Sequence, residues 1–522
     1  MTRLPPVYCV TSLATLPATI LGTQPPPNLP QGGGNREGAP DLKLASDRRT
    51  PPARRRGSIL IVAMWVIIAL TGLVLSLSYA MRTEAIAGAN RLAQAQADAA
   101  ERGMEQFLIS VVDNEVAAPG TFRDLSTEAR KIGDCQVWVV RPDWDSSAQQ
   151  LAYGLTDEAG KIDLNTATTT AMLLNLPGMT QDVADCILDW RDSSTTTPRA
   201  QGAKDDYYLS LPEPYRCKNG PYETVEELLL VKGMTKDLLF GYDRNRNGIL
   251  EPNEQQTGGM TTLMNSGDIG CGFAPFITVY GIQATAGSTT DLVDVNANFS
   301  RLRDLLRTNN IDESKITKIR DLLRQARRDR TSFSNAFEFY FKSGLTLAEF
   351  KKVLPKLTAN RRSTSPTPAS AAKIAKINVN TAPKEVLLCL HGSLVDSDAS
   401  AIISYRQSQT SSDPKDISWL ANPSVLSKEK AIAIGGLVTG KSLVYSGDVV
   451  AVSPDGRAFR RYRVVISGKA TVNGKALPTR IVYRRDLTAS GWPLPPEIRS
   501  SIRSGQGYQT PLQSSAKGGS SL

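Results

Sequence analysis

From Ile59 to Met81 the chain carries no charged side chain, and Arg54, Arg55 and Arg56 stand just before that run. Wound as a helix at ~1.5 Å per residue, the run is ~34 Å long, enough for the ~30 Å hydrocarbon core of a bilayer. Its length and its lack of a polar face exclude a helix buried in a soluble core. Positive charge is retained on the cytoplasmic side, which orients the anchor N-in with everything after Met81 outside the cytoplasm. The pattern then becomes amphipathic. Apolar residues recur at three and four through Ile86, Ala89, Ala93, Ala97, Ala100, Met104, Phe107 and Val111, so the same helix continues until Pro119-Gly120.

Past that break the period falls to two. Cys135–Arg141 and Gln150–Thr156 alternate as strands, and Asp157-Glu158-Ala159-Gly160 makes a turn. Two helices follow Lys161-Ile162-Asp163-Leu164-Asn165-Thr166-Ala167, hinged at Leu176-Pro177-Gly178-Met179. A shift of 215 positions lays this unit on a second one. Ile162 falls on Ile377, Asn165-Thr166-Ala167 on Asn380-Thr381-Ala382, Leu173 on Leu388, Ile187 on Ile402 and Arg191 on Arg406. A long ungapped match of this kind predicts two copies of one helical hairpin, with Thr224–Met234 as a further relative. Ser442–Ser453, Ala458–Ser467 and Thr479–Tyr483 alternate again and return to strands, with Pro454-Asp455-Gly456 as a hairpin turn.

Composition changes this picture at a few points. The net charge of +10 resides in residues 1–57, about +5, and in residues 300–362, about +9, which leaves the remainder slightly acidic. No broad basic surface for nucleic acid is implied. The six cysteines form no CxxC pair, so zinc is not expected, and Cys186 with Cys217 is a possible disulfide. With His391 as the single histidine, and no GxSxG, HExxH or P-loop string, the chain is not expected to be an enzyme.

One constellation points to a ligand. Asp243-Arg244-Asn245-Arg246-Asn247-Gly248-Ile249-Leu250-Glu251-Pro252-Asn253-Glu254 fits a twelve-residue EF-hand loop. Asp243, Asn245 and Asn247 supply side-chain oxygens, Gly248 turns the chain, Ile249 offers its carbonyl, Glu251 acts through water and Glu254 closes the site. The expected ion is calcium, in a structural role.

Two resemblances follow. Basic residues, one glycine and an immediate apolar helix resemble a prepilin leader, cut between Gly57 and Ser58 by a prepilin peptidase, although Val62 stands where such proteins usually carry Glu. The ordered series Asp157–Ala167, Asp189-Trp190-Arg191-Asp192, Tyr207-Tyr208, Val231-Lys232-Gly233-Met234, Ala274–Tyr280 and Ile377–Pro383 resembles type II secretion system protein K, the large minor pseudopilin. That resemblance implies an α+β protein with a pilin-like domain and two helical SAM-like domains. It also implies a place at a pseudopilus tip with the I and J minor pseudopilins, upon the major pseudopilin, anchored in the inner membrane. The family's calcium site near Asp189–Asp206 is in doubt here, because Lys204 and Ser194 replace acidic residues.

The expected division is a leader or disordered segment 1–57, the transmembrane and pilin-like helix 58–113, the first part of the pilin-like domain 114–160, and a first SAM-like domain 161–282. A basic helical insertion and linker 283–373, a second SAM-like domain 374–440, the rest of the pilin-like sheet 441–487 and a disordered tail 488–522 complete it. Because each hairpin also looks like a helix-hairpin-helix unit, a membrane-anchored DNA-uptake protein is the alternative. The carboxylates Asp182, Asp396 and Asp398, placed where phosphate would dock, argue against it.

Overall fold

The computed structural model describes residues 58–117, 127–143, 151–166, 169–194, 198–249, 254, 271–281, 292–297, 299–359, 376–408, 413, 415–472, 475–505, 507 and 508. Helix α1 runs unbroken over Ser58–Ala117. Its apolar stretch is exposed throughout, with Ile59 at 80% and Trp65 at 65%. The helix passes the length and hydropathy test for a membrane span. The buried stripe begins at Ala93 and continues through Ala97, Ala100, Met104 and Leu108, while Ile86 stays exposed.

That stripe packs under an antiparallel sheet. The strands are β1 (Arg130–Ile132), β2 (Cys135–Pro142), β3 (Leu151–Tyr153) and β4 (Thr156–Asp157), and, after a long excursion, β11 (Val444–Val452), β12 (Phe459–Ser467) and β15 (Arg480–Asp486), the last two joined through a small separate hairpin, β13 (Ala470–Val472) and β14 (Lys475–Leu477). The order is β1-β2-β11-β12-β15, with β3 on β2 and β4 on β11. Alternation along β2 divides its side chains. Val137 and Val139 meet Met104, Leu108 and Val112 of α1 on one face, and Trp138 and Val140 turn to the other. Each such side chain removed from water contributes about 1.5–3 kcal/mol.

The second face is covered by the C-terminal segment, which corrects the expectation of disorder from 488 onward. Pro496–Arg503 is a helix, and Leu494, Ile498 and Ile502 bury against Trp138 and Val450. The polar composition hid two isoleucines four residues apart, enough to seat one short helix. Both faces of the sheet are therefore dry, which accounts for the unbroken burial of β11.

The excursion between β4 and β11 holds three helical modules, not two. Each is tied by a two-residue parallel bridge: β5 (Ile162–Asp163) with β6 (Ile277–Thr278), β7 (Val293–Asp294) with β8 (Leu357–Thr358), and β9 (Ile377–Asn378) with β10 (Val438–Thr439). In each, the residue after the opening strand donates its N–H into the closing one: Leu164 to Thr278, Val295 to Thr358, Val379 to Thr439. The side chain of Asp163, Asp294 or Asn378 then accepts the amide of Asn165, Asn296 or Asn380, at 2.8, 2.9 and 3.0 Å. An arginine from a later helix closes the turn. Arg191 donates to the carbonyls of Leu164 and Thr166, Arg406 to those of Val379 and Ala382, and Arg327 to that of Ala297.

The central module, formed within residues 292–359, falls in the stretch expected to be an insertion and linker. Its helices Phe299–Thr308, Glu313–Arg328, Ala336–Ser343 and Leu347–Val353 bury Leu306, Ile319, Phe337 and Phe350. All three modules share one apolar core. In the first and third, the equivalent helices Thr170–Leu173 and Lys384–Cys389 lie against each other, and Asn175 Nδ2 reaches the Leu388 carbonyl at 3.2 Å.

Candidate functional site

The loop that begins at Asp243 follows the short helix Lys236–Phe240. Within it the polar side chains turn inward. Asp243 Oδ1 accepts the Asn247 amide at 3.1 Å and Oδ2 that of Gly248 at 2.7 Å, while Asn245 Oδ1 takes the same Asn247 amide at 2.9 Å. Two side-chain oxygens thus lie within reach of one N–H. Glu254 Oε1 accepts from the amides of Arg244 and Asn245, and Asn247 Oδ1 from that of Ile249. Asp243, Asn245, Asn247 and Glu254 are all buried. Gly248 has φ +84°, and a Cβ there would meet Pro142 of β2 at 3.0 Å, so the turn needs glycine on two counts.

The sheet grips this loop through its backbone. Arg461 of β12, fully buried, donates to the carbonyls of Asn245 and Arg246, and Arg463 reaches the Arg246 carbonyl at 2.8 Å. Both guanidiniums also bind Asp448 of β11. Burial alone would raise the Asp448 carboxyl, yet Arg463 and Arg461 hold it below its ordinary range. Asn247 Nδ2 adds a bond to the Pro493 carbonyl at 3.3 Å. Burial, with the Glu254 charge beside it, lifts Asp243 to about 6.

The donor set fits a hard cation. Loop positions one, three, five and twelve carry side-chain oxygens, the donor type a calcium loop uses, and here those oxygens accept backbone amides of the loop itself. Among the described residues no three His, Cys, Asp or Glu side chains gather as a metal site, in this loop or outside it. Here the set consists of two carboxylates with amide oxygens. Glu251 lies outside the described residues, as does Gly57; Ser58 opens α1.

Near Asp189–Asp206, where the resemblance implied a calcium site, the chain places two of its own cations. Lys204, buried in the first module, donates Nζ to the carbonyls of Asp189 and Asp192 and to Asn219 Oδ1. Arg199 bridges the carboxylates of Asp189 at 2.5 Å and Asp192 at 2.6 Å. Sequence reading saw Lys204 as a departure but missed Arg199 as its companion. Cys186 and Cys217 are separate buried thiols, pushed up by burial, and no disulfide joins them.

Deeper in the molecule, Asp157 at the end of β4 joins the sheet to the last module. It accepts from Asn378 Nδ2 at 2.8 Å, Thr381 Oγ1 at 2.6 Å and the Ser442 hydroxyl. Its neighbour Glu158 takes the Thr278 hydroxyl and Lys161 of the first module and the Ser446 hydroxyl of β11. Two consecutive acids therefore bind two copies of one repeat to one strand.

An α+β chain with an apolar N-terminal helix, that helix packed beneath a sheet, and helical modules inserted between the sheet's halves defines the class: a membrane-anchored protein of pilin-like plan. Residues 150–241 and 377–438 match two family models of the type II secretion system (T2SS), protein K. In those two segments the chain matches the type II secretion system protein K family. Among solved structures it is similar to a chain of the GspK-GspI-GspJ complex from enterotoxigenic Escherichia coli, at 10% identity and a TM-score of 0.38, with 78% of this chain and 99% of that one covered. No curated protein matches it.

Proposed function

We propose that the chain is a non-enzymatic minor pseudopilin that caps the tip of the pseudopilus and supports export of folded proteins across the outer membrane. The observation that carries this reading is α1: one continuous helix, uncharged and exposed from Ile59 to Met81, with a buried stripe from Ala93 onward beneath the sheet. Such a rod slots among similar rods in a bundle, and a head of more than 400 residues leaves no room for a subunit above it. Val62 supports the terminal place, because a shaft subunit needs an acid there to neutralise its neighbour's terminal amine in the bilayer. The I and J minor pseudopilins are its partners, the major pseudopilin lies below, and prepilin peptidase cuts after Gly57. The chain sits in the inner membrane with its head in the periplasm.

Calcium in the loop 243–254 belongs to the same reading, as a brace between the sheet and the first module. Deleting the chain is expected to lengthen assembled pseudopili and to abolish co-purification of an I–J pair with the tip. Unchanged fibre length would overturn capping. For the DNA-uptake alternative, the amide of Val395 is already given to Asp398 at 2.8 Å, and Asp398 holds Lys430.

A further inference from the structure

We propose that the seam between α1 and the edge strand β15 is a proton-operated latch, in which Glu101 and Glu105 share the single guanidinium of Arg484. The two acids stand one helical turn apart, so their carboxylates lie side by side. Arg484 Nη2 donates to Glu101 Oε2 at 2.7 Å and Nε to Glu105 Oε1 at 2.5 Å. Both carboxylates are almost completely shielded, with side-chain exposures of 1% and 8%. The face of the guanidinium rests on the Tyr462 ring of β12, 3.7 Å from its centre. Glu101 Oε1 has no hydrogen-bond partner among the described residues.

The surrounding charges do not balance this group. On α1, Asp98 is taken by Arg460 of β12, and Arg102 faces solvent. On β15, Asp486 is held by Thr488. Two shielded carboxylates therefore face one half-buried cation, and full ionisation leaves one negative charge uncompensated. A proton on Glu101 removes that charge. Burial pushes Glu101 up to about 8, with Glu105 adding to the rise and Arg484 opposing it.

The sign follows by linkage. The folded carboxyl holds its proton above the pH at which the unfolded one loses it, so the stabilisation is full in acid and is lost as pH rises towards about 8. Alkaline conditions loosen β15 from α1 and expose the edge of the sheet.

The test uses the full chain in detergent micelles, with hydrogen–deuterium exchange of residues 480–486 measured at pH 6 and pH 9. After correction for intrinsic rates, exchange in the wild type should rise about tenfold between the two. Glu101→Gln, uncharged at both pH values, should show no rise. Glu105→Gln, which leaves one acid to one arginine, should also remove it. A wild type without the rise, or a variant that keeps it in full, would overturn the latch; should Glu101→Gln fail to fold, Glu105→Gln decides alone.

Discussion

Asn296 and Phe333 exchange two hydrogen bonds, Asn296 Nδ2 to the Phe333 carbonyl at 3.0 Å and the Phe333 amide to Oδ1 at 2.9 Å. Asn165 closes the same clasp on Tyr222 in the first module, at 2.9 and 2.7 Å. An asparagine serves because one short side chain offers both a donor and an acceptor to a passing backbone. Asn296→Ala would leave two buried backbone groups unpaired. It should cost about 2 kcal/mol and open residues 299–358 to limited proteolysis ahead of the other modules.

The position of Asp157 leads to a harsher expectation. Three side-chain donors and the Ala159 amide converge on it. Asp157→Ala strands all of them at the joint of sheet and last module, at about 3 kcal/mol or more. Denaturant unfolding should show the loss in the midpoint, whereas exposed Asp396→Ala should leave it within ~0.5 kcal/mol.

The Lys204 ammonium fills a cluster of oxygen acceptors in the first module. Lys204→Met keeps the apolar stem and deletes the ammonium, leaving the Asp189 and Asp192 carbonyls and Asn219 Oδ1 facing one another. A loss of about 3 kcal/mol is expected. With the lysine ammonium supplying the charge, chelators should leave this part of the stability untouched.

Calcium should act only through the other loop. At a hundredfold excess over Kd it should stabilise the protein by about 2.7 kcal/mol, read as a rise in thermal midpoint. Asp243→Ala should abolish the rise, and an unchanged rise would remove the ion from this loop. Arg461→Met should lower the midpoint with and without calcium, because its grip on the loop is through carbonyls.

Much of this plan was legible in the sequence because it repeats or alternates. The anchor, the strands 135–141 and 458–467 and the 215-residue register all rest on side-chain pattern, and the structure places them accordingly. The central module escaped because its opening Val293-Asp294-Val295-Asn296-Ala297 shares geometry with its sisters but few identities, and its basic helices read as a solvated face. The C-terminal helix escaped for a different reason. Ile498 and Ile502 acquire meaning only once Trp138 and Val140 present a surface, and those lie more than 350 residues away. Of the ion loop, the ligand spacing was visible, but the arginines that hold it came from a strand that nothing local connects to it.

β2 finds its central neighbour β11 only across the entire helical excursion, with Val140 paired to Asp448. At ~5–20 residues per second, a ribosome needs ~15–60 s to deliver the one after the other. During that interval the valine-rich β2, paired only with its neighbours β1 and β3, keeps its β11 edge open to any other nascent chain that offers a strand. The helical modules, whose contacts are mostly local, can mature first and stand as a scaffold on which the two halves meet. Assembly order is thereby written into the chain: the head completes itself last at its centre, and a truncation just before Val444 should leave folded helices hung on an unfinished sheet.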